Sequence, residues 1–312
     1  MFEKPGLRAR FFHLPAPYEH PFDCQTGAMA IRDLTRGLTF DGAAASYDRF
    51  RPRYPSAMFD DVSEVARVDA DSRILEVGCG PGVATEEMMA RGWSVLAVDP
   101  GAQLARLARE KFGDERFAVE VATFDDWDPH GRHFDLLLSA AAFHWVAPHL
   151  RWKKAADVLV DHGTIALAGN HAADGGSFQE FGDVTRELRV AHGIDDEREP
   201  SSVDDLHEVI ETCGHDIGAL WEAMSPQGSD VIAGDLFDAP DVRLYPWSTT
   251  YSTVETLGLL ATYSRYLAMD PTKRALLFSR LASVIDDQYG GVLTRHYVSV
   301  LAMATKNGRT PR

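Results

Sequence analysis

Arg73-Ile74-Leu75-Glu76-Val77-Gly78-Cys79-Gly80-Pro81-Gly82 decides the fold of this 312-residue chain. The first five residues have the composition of a short buried strand, and they run directly into a turn with glycine at alternate positions. Val83 to Arg91 then has helical composition and stops at Gly92, the residue type that closes helices in the left-handed conformation. A strand, a glycine turn and a helix in that order predict a ligand seat. Bare main chain lets a small molecule come close, and the first turn of the helix offers unpaired N–H groups.

The same alternation continues outward. Ser94 to Val98 is a near-continuous apolar run, as in a strand covered on both faces, and it stops at Asp99-Pro100. Ala102 to Phe112 places Leu104, Leu107 and Ala108 on one helical face. Phe117 to Ala122 reads as the third strand and Phe134 to Ser139 as the fourth. Trp152 to Val160 reads as a helix and Thr164 to Ala168 as the fifth strand. Strands that alternate with helices require right-handed crossovers and a parallel sheet. Between His171 and Asp241 the regularity breaks. Helix-like pieces around Phe178 to Val190 and Val203 to Thr212 flank the acidic stretch Asp195-Asp196-Glu197-Arg198-Glu199. So long a segment predicts a helical insertion, read as a lid over the strand C-termini. Val242 to Tyr251 follows as a strand demoted to an edge or a bulge by Pro246, then helices at Glu255 to Leu267 and Pro271 to Gln288. Gly290-Gly291 turns into a last strand, Val292 to Leu301, expected to be antiparallel. The expectation is an α/β fold with a seven-stranded, mostly parallel sheet. It divides into an irregular arm (1–38), a core (39–170), the insertion or lid (171–241) and a C-terminal part of the sheet (242–305).

Composition narrows the function. Lys and Arg number 31 against 47 Asp and Glu, a net charge of −16, so the field of the whole molecule repels phosphate backbones and anionic lipid. The expectation is a small-molecule substrate, with neither nucleic acid nor membrane as partner. Three scattered cysteines, Cys24, Cys79 and Cys213, fit a reducing compartment, and Met1 to Arg10 has no apolar core for a signal peptide. The cytoplasm is the expected location. The first forty residues carry Pro5, Pro15, Pro17 and Pro21 without periodicity, and Met29 is a possible alternative start that N-terminal sequencing would test. His207, Glu208, Glu211, Cys213 and His215 cluster without the spacing of a metal motif, so no metal is expected.

The glycine turn does not suit a nicotinamide dinucleotide. That fingerprint needs glycine at 83, where Val83 stands, and Gly82 comes one residue early. Glu76 to Gly82 instead resembles motif I of the class I S-adenosylmethionine-dependent methyltransferases, E/D-x-G-x-G-x-G, at every fixed position. The resemblance extends upstream. Phe40 to Pro55, with Tyr47, Arg51, Pro52, Tyr54 and Pro55, is similar to the F-x-x-x-A-x-x-Y-x-x-x-R-P-x-Y-P segment of the trans-aconitate methyltransferase-like (type 11) subgroup. Ser139-Ala140-Ala141-Ala142-Phe143-His144-Trp145 resembles that subgroup's Q-A-F-H-W segment, with Ala141 in place of glutamine. Thr262-Tyr263-Ser264 and Gly290-Gly291 also look like it, so the resemblance covers roughly residues 38 to 305 apart from the insertion.

The resemblance implies a Rossmann-like sheet and S-adenosylmethionine as cofactor. Glu76, Gly78, Cys79, Gly80 and Gly82 would form the seat. Asp99, seventeen residues past Gly82, would take the ribose hydroxyls with Pro100 beside it. The family's acidic residue after strand three would be Asp125, or Asp126, accepting from the adenine amino group, with Phe124 against the ring. Ser139 would border the site beyond strand four. Tyr47 and Arg51 would pack over the cofactor from an N-terminal helix, Arg51 reaching its carboxylate. Phe143, Trp145 or Tyr47 would favour the sulfonium by cation–π attraction. His144 is the candidate base for a hydroxyl or amine acceptor, whereas a carboxylate acceptor needs none. A nicotinamide oxidoreductase and a non-catalytic cofactor-binding protein are the alternatives.

Overall fold

The structure, a computed structural model, describes residues 41, 44–113, 115–194, 202–224, 233 and 235–308. The expected arm, the possible start at Met29 and the acidic stretch 195–199 lie outside the described residues. Helix α1 (Ala44–Phe50) and helix α2 (Ser56–Ala66) lead into β1 (Arg73–Val77), and α3 (Thr85–Ala90), β2 (Ser94–Asp99), α4 (Ala102–Lys111) and β3 (Phe117–Val121) follow. Next come β4 (Phe134–Ala140), α5 (Pro148–Val158) and β5 (Leu159–Ala173). The insertion supplies α6 (Gly176–Val184), α7 (Arg186–Ala191), α8 (Val203–Cys213) and α9 (Ile217–Met224). β6 (Asp241–Ser252), α10 (Thr253–Ala261), α11 (Ser264–Leu267), α12 (Pro271–Tyr289) and β7 (Val292–Thr305) complete the described elements.

The seven strands form one sheet in the order β3-β2-β1-β4-β5-β7-β6. β1 pairs in parallel with β2 and β4, and the last strand in sequence, β7, runs antiparallel between β5 and β6. Pro246 opposes Val298 in β6, an edge strand, where its missing N–H costs no second ladder.

Side chains alternate across the sheet and found two cores. Ile74, Ala97, Leu136, Leu138, Ala166, Leu301 and Met303 pack on Met58, Phe59 and Val62 of α2 and on Met88 of α3. Leu75, Val77, Val98, Leu137, Ile165 and Leu167 pack on the other face against Trp152 and Ala155 of α5 and Ile217 and Leu220 of α9. The result is helix, sheet, helix in three layers, with the β1 turn emerging at the edge.

Several elements differ from their sequence reading in length, the last strand among them, which runs on to Thr305, and two of these differences bear on the site. The helix expected at Val83 begins only at Thr85, because three turn glycines hold positive φ values (76° at Gly78, 55° at Gly80, 91° at Gly82) and the turn runs on through Ala84. β5 extends well past the apolar run 164–168, since β7 pairs with every residue from Thr164 to Ala173. The described insertion helices lie on the flanks of the sheet. Leu206 of α8 packs on Val298 and Val300, and Phe181 of α6 packs on Leu277 and Leu281 of α12. No helix among the described residues is long and apolar enough to cross a membrane.

Candidate active site

A cavity of about 880 Å³ opens at the C-terminal edge of β1, β2 and β4, within the size range of pockets that enclose a small molecule. Tyr47, Arg51, Glu76, Gly78, Cys79, Gly80, Asp99, Pro100, Phe124, Asp125 and His144 all line it. Gly82 and Ser139 do not. Ser139 is fully buried behind the turn and donates its hydroxyl to the Val77 carbonyl at 2.7 Å, because strand alternation turns it inward. Phe143 is buried as well and packs its ring on Trp152 at 5.2 Å, leaving Trp145 on the cavity wall.

The three glycines do different work. A Cβ on Gly78 would stand 2.3 Å from the Ala142 Cβ, and one on Gly82 would stand 2.2 Å from the Phe112 ring. These two let neighbouring segments close on the turn. At Gly80 a Cβ would meet nothing within 4 Å, so this residue alone of the three leaves open space for a ligand.

Asp99 organises the turn. Its carboxylate accepts from the Gly80 N–H at 2.7 Å and from the Gly101 N–H at 2.8 Å, one bond to each oxygen. Each oxygen keeps a lone pair for a further donor. The start of α4 is capped by Asp41, whose Oδ1 accepts from the Gln103 and Leu104 N–H groups at 2.6 and 3.0 Å. Burial raises the Asp99 carboxyl above its ordinary value, opposed by the two backbone donors and reinforced by Asp41. Asp125 holds the Ala147 N–H at 3.0 Å, whereas Asp126 stays exposed on Thr123.

Glu76 is buried at the base of the cavity, accepting from the Thr85 hydroxyl at 2.6 Å. Burial pushes its carboxyl up to about 8, against the pull of that hydrogen bond. The Cys79 thiol is likewise raised by burial, with Glu76 and Asp99 adding to the effect, which makes it a poor nucleophile. His144 sits on a single 3₁₀ turn (Phe143–Trp145) that follows Ala141, a residue held at φ 55° where glycine is the usual choice. It also lines a smaller cavity of about 180 Å³, shared at Ala141 and Asn170 and walled by Leu220, Trp221 and Met224.

The main cavity brings the expected Arg51 together with Arg295, Tyr297, Asn170 and Arg265, residues that had no role in the sequence reading. Arg51 lies between the rings of Tyr47 and Tyr263, at 4.6 and 4.9 Å, and donates to the Thr262 carbonyl at 3.0 Å. One signal could have found Arg295, the single Lys, Arg, Asp or Glu within Val292–Thr305.

Residues 74–163 match the family model described as a methyltransferase domain. That segment is a methyltransferase domain. It is 33% identical over 131 residues to a trans-aconitate 2-methyltransferase of Afipia carboxidovorans, covering 41% of this chain and 49% of that one. An uncharacterised methyltransferase of Mycobacterium bovis is 30% identical over 139 residues, 45% of this chain and 54% of that one. The chain thus spans about half the length of the curated relatives it matches. In fold the chain is similar to a candidate type II methyltransferase from Anaeromyxobacter dehalogenans, with a TM-score of 0.51, 21% identity and coverage of 83% of this chain and 98% of that one. The cofactor of this class is S-adenosylmethionine. The residues present fit it: the open space at Gly80, spare acceptors on Asp99, and a cation at Arg51.

Proposed function

We propose that this chain is an S-adenosylmethionine-dependent methyltransferase acting on a small-molecule acceptor, with O-methylation of a hydroxyl or a carboxylate as its reaction. The observation that carries the reading is the cavity over Gly80, lined by the acceptor Asp99 on β2 and by the guanidinium groups of Arg51 and, four strands from β2, of Arg295 on β7. That polarity suits a ligand with a ribose at one end and a carboxylate at the other. Asp99 would hold the ribose hydroxyls, Asp125 and Phe124 the adenine, and Arg51 the amino-acid carboxylate. When bound, the cofactor supplies a methyl group that is already electrophilic. The protein's own share is to position the acceptor, exclude water and move one proton. Tyr47 and Trp145 line the cavity, and an aromatic ring there would suit a sulfonium at about 0.5–2 kcal/mol per contact.

Calorimetry with S-adenosylhomocysteine and with NAD tests the cofactor. Micromolar binding of the first is expected, and binding of the dinucleotide alone would overturn the reading. A labelled methyl-transfer screen tests turnover, and binding without transfer to any acceptor would favour the non-catalytic alternative.

His144, at the junction of the two cavities, is the proposed base for a hydroxyl acceptor. His144→Ala should lower kcat by about a hundredfold or more while leaving S-adenosylhomocysteine affinity within threefold, as expected for lost proton transfer. An unchanged kcat removes His144 from the chemistry.

Glu76 makes binding depend on pH. Its carboxyl, raised to about 8, is mostly protonated at neutrality in the free protein. A cofactor ammonium group beside it favours the carboxylate, so binding expels a proton. Affinity for S-adenosylhomocysteine should therefore rise on the order of tenfold between about pH 6.5 and 8.5, and Glu76→Gln should flatten the profile. For folding the sign is opposite. The raised carboxyl contributes stability that is complete below its ordinary 4.5 and is lost as pH rises through about 8.

A further inference from the structure

Arg295 is a cation set in a box of aromatic rings. Its guanidinium lies 4.3 Å from the Phe178 ring centroid, 5.0 Å from that of Tyr297 and 6.0 Å from that of Tyr263, and Nη1 donates to the Tyr263 hydroxyl at 2.8 Å. The box is built deliberately by the fold. Gly175 and Gly176, at φ 87° and 73°, bring α6 so close to β7 that a Cβ on Gly176 would stand 2.6 Å from the Thr294 carbonyl oxygen. Ser177 then accepts from the Thr294 N–H at 2.8 Å, and Phe178 is set against Arg295. Among the described residues no carboxylate pairs with Arg295, although its side chain lines the cavity. A partly buried guanidinium without an anion keeps an unmet electrostatic demand that a ligand carboxylate can satisfy bidentately.

Arg51 and Arg295 face the same cavity, and neither has a carboxylate partner among the described residues. A bound S-adenosylmethionine has one carboxylate, which leaves one of these two guanidinium groups over. Their positions divide the roles. Lys111 donates to Asp48 of α1 at 3.1 Å and to Glu86 of the helix after the glycine turn at 3.3 Å, which puts α1 and the adjoining Arg51 on that side. Arg295 stands on β7, three strands away from β1 across β4 and β5, or roughly 14 Å at the usual strand spacing.

We propose that Arg295 is the acceptor-recognition residue of this site, and that it anchors a carboxylate of the methyl acceptor. Tyr263 orients it, since the Tyr263 hydroxyl fixes one end of the guanidinium and the Tyr263 ring faces both arginines. The inference rests on the cofactor reading above, which assigns Arg51 to the amino-acid carboxylate.

Titration calorimetry on the full chain saturated with S-adenosylhomocysteine tests it, with glutarate and benzoate as probes against their uncharged amides and inorganic phosphate. Wild-type protein should bind at least one carboxylate, and its amide about tenfold more weakly. Arg295→Gln should lose about tenfold in carboxylate affinity yet keep its S-adenosylhomocysteine affinity within twofold. Arg295→Lys, which keeps the charge without the fork, should fall between. Tyr263→Phe, a positioning change, should cost about threefold with folding intact by circular dichroism. The proposal is overturned if the wild type binds neither carboxylate, if only phosphate binds, or if Arg295→Gln leaves carboxylate affinity unchanged. It is overturned equally if Arg295→Gln weakens S-adenosylhomocysteine but not 5′-methylthioadenosine, because Arg295 would then hold the cofactor's carboxylate. Repeating the carboxylate titration without S-adenosylhomocysteine reads Arg295 even if the cofactor assignment fails.

Discussion

Asp99→Ala is expected to weaken S-adenosylhomocysteine binding by about a hundredfold or more. Two charge-assisted hydrogen bonds to ribose hydroxyls at about 1.5 kcal/mol each account for that factor alone. The same carboxylate also holds the Gly80 and Gly101 N–H groups, so alanine loosens the turn that must be open and fixed for the ligand. Leaving two buried donors unpaired should cost about 2–4 kcal/mol of stability as well. Asp99→Asn separates the contributions. Its amide oxygen can serve one backbone donor while its NH₂ group opposes the other, so affinity should fall about tenfold to a hundredfold with a smaller loss of stability. Calorimetry and thermal melting of the two variants measure both quantities. Unaltered affinity in Asp99→Ala would exclude the carboxylate from the ligand site.

The second large effect contrasts glycines two residues apart. Gly80→Leu puts its Cβ where nothing lies within 4 Å and sends the side chain into the cavity. It should cost only about 1–2 kcal/mol for a non-glycine residue at φ 55°, yet reduce S-adenosylhomocysteine affinity by about a hundredfold. Gly78→Ala should do the reverse. Its Cβ would overlap the Ala142 Cβ at 2.3 Å, and φ is 76°, so the loss is about 3 kcal/mol or more of stability. A fall in melting temperature of roughly 6 °C or more is expected for a chain of this size. Equal loss of binding and stability in both variants would mean that the two glycines serve one purpose.

The parts of the fold and site that were legible in the sequence are those that local chemistry fixes. β1, the glycine turn and Asp99 lie within one short stretch, and strand, turn and acidic residue each have a compositional signature. Pro246 narrowed β6 to an edge or a bulge, because few places in a sheet tolerate a missing N–H, and the pairing makes it an edge. What escaped depends on partners distant in sequence. The length of β5 is set by β7, more than a hundred residues later, and not by its own apolar run. Ser139 carries a hydroxyl at the end of a strand, yet the strand's register, not its residue type, turns it onto Val77. The insertion helices show amphipathic patterns without saying which face of which neighbour they cover. Arg295 gains meaning only when α6, α11 and β7 bring Phe178, the adjacent Tyr263 and Tyr297 around it.

The capping of α4 by Asp41 has a consequence for which molecules the adenosine end can admit. The amide groups at that helix start, a natural landing place for phosphate, are already engaged by Asp41 at Gln103 and Leu104 and by Asp99 at Gly101. A phosphorylated sugar arriving there would find its donors taken and two anionic groups facing it, whereas an unsubstituted ribose meets acceptors for its hydroxyls. With the proposed seating, this helix end would act as an electrostatic sieve that passes nucleosides and turns away their phosphates.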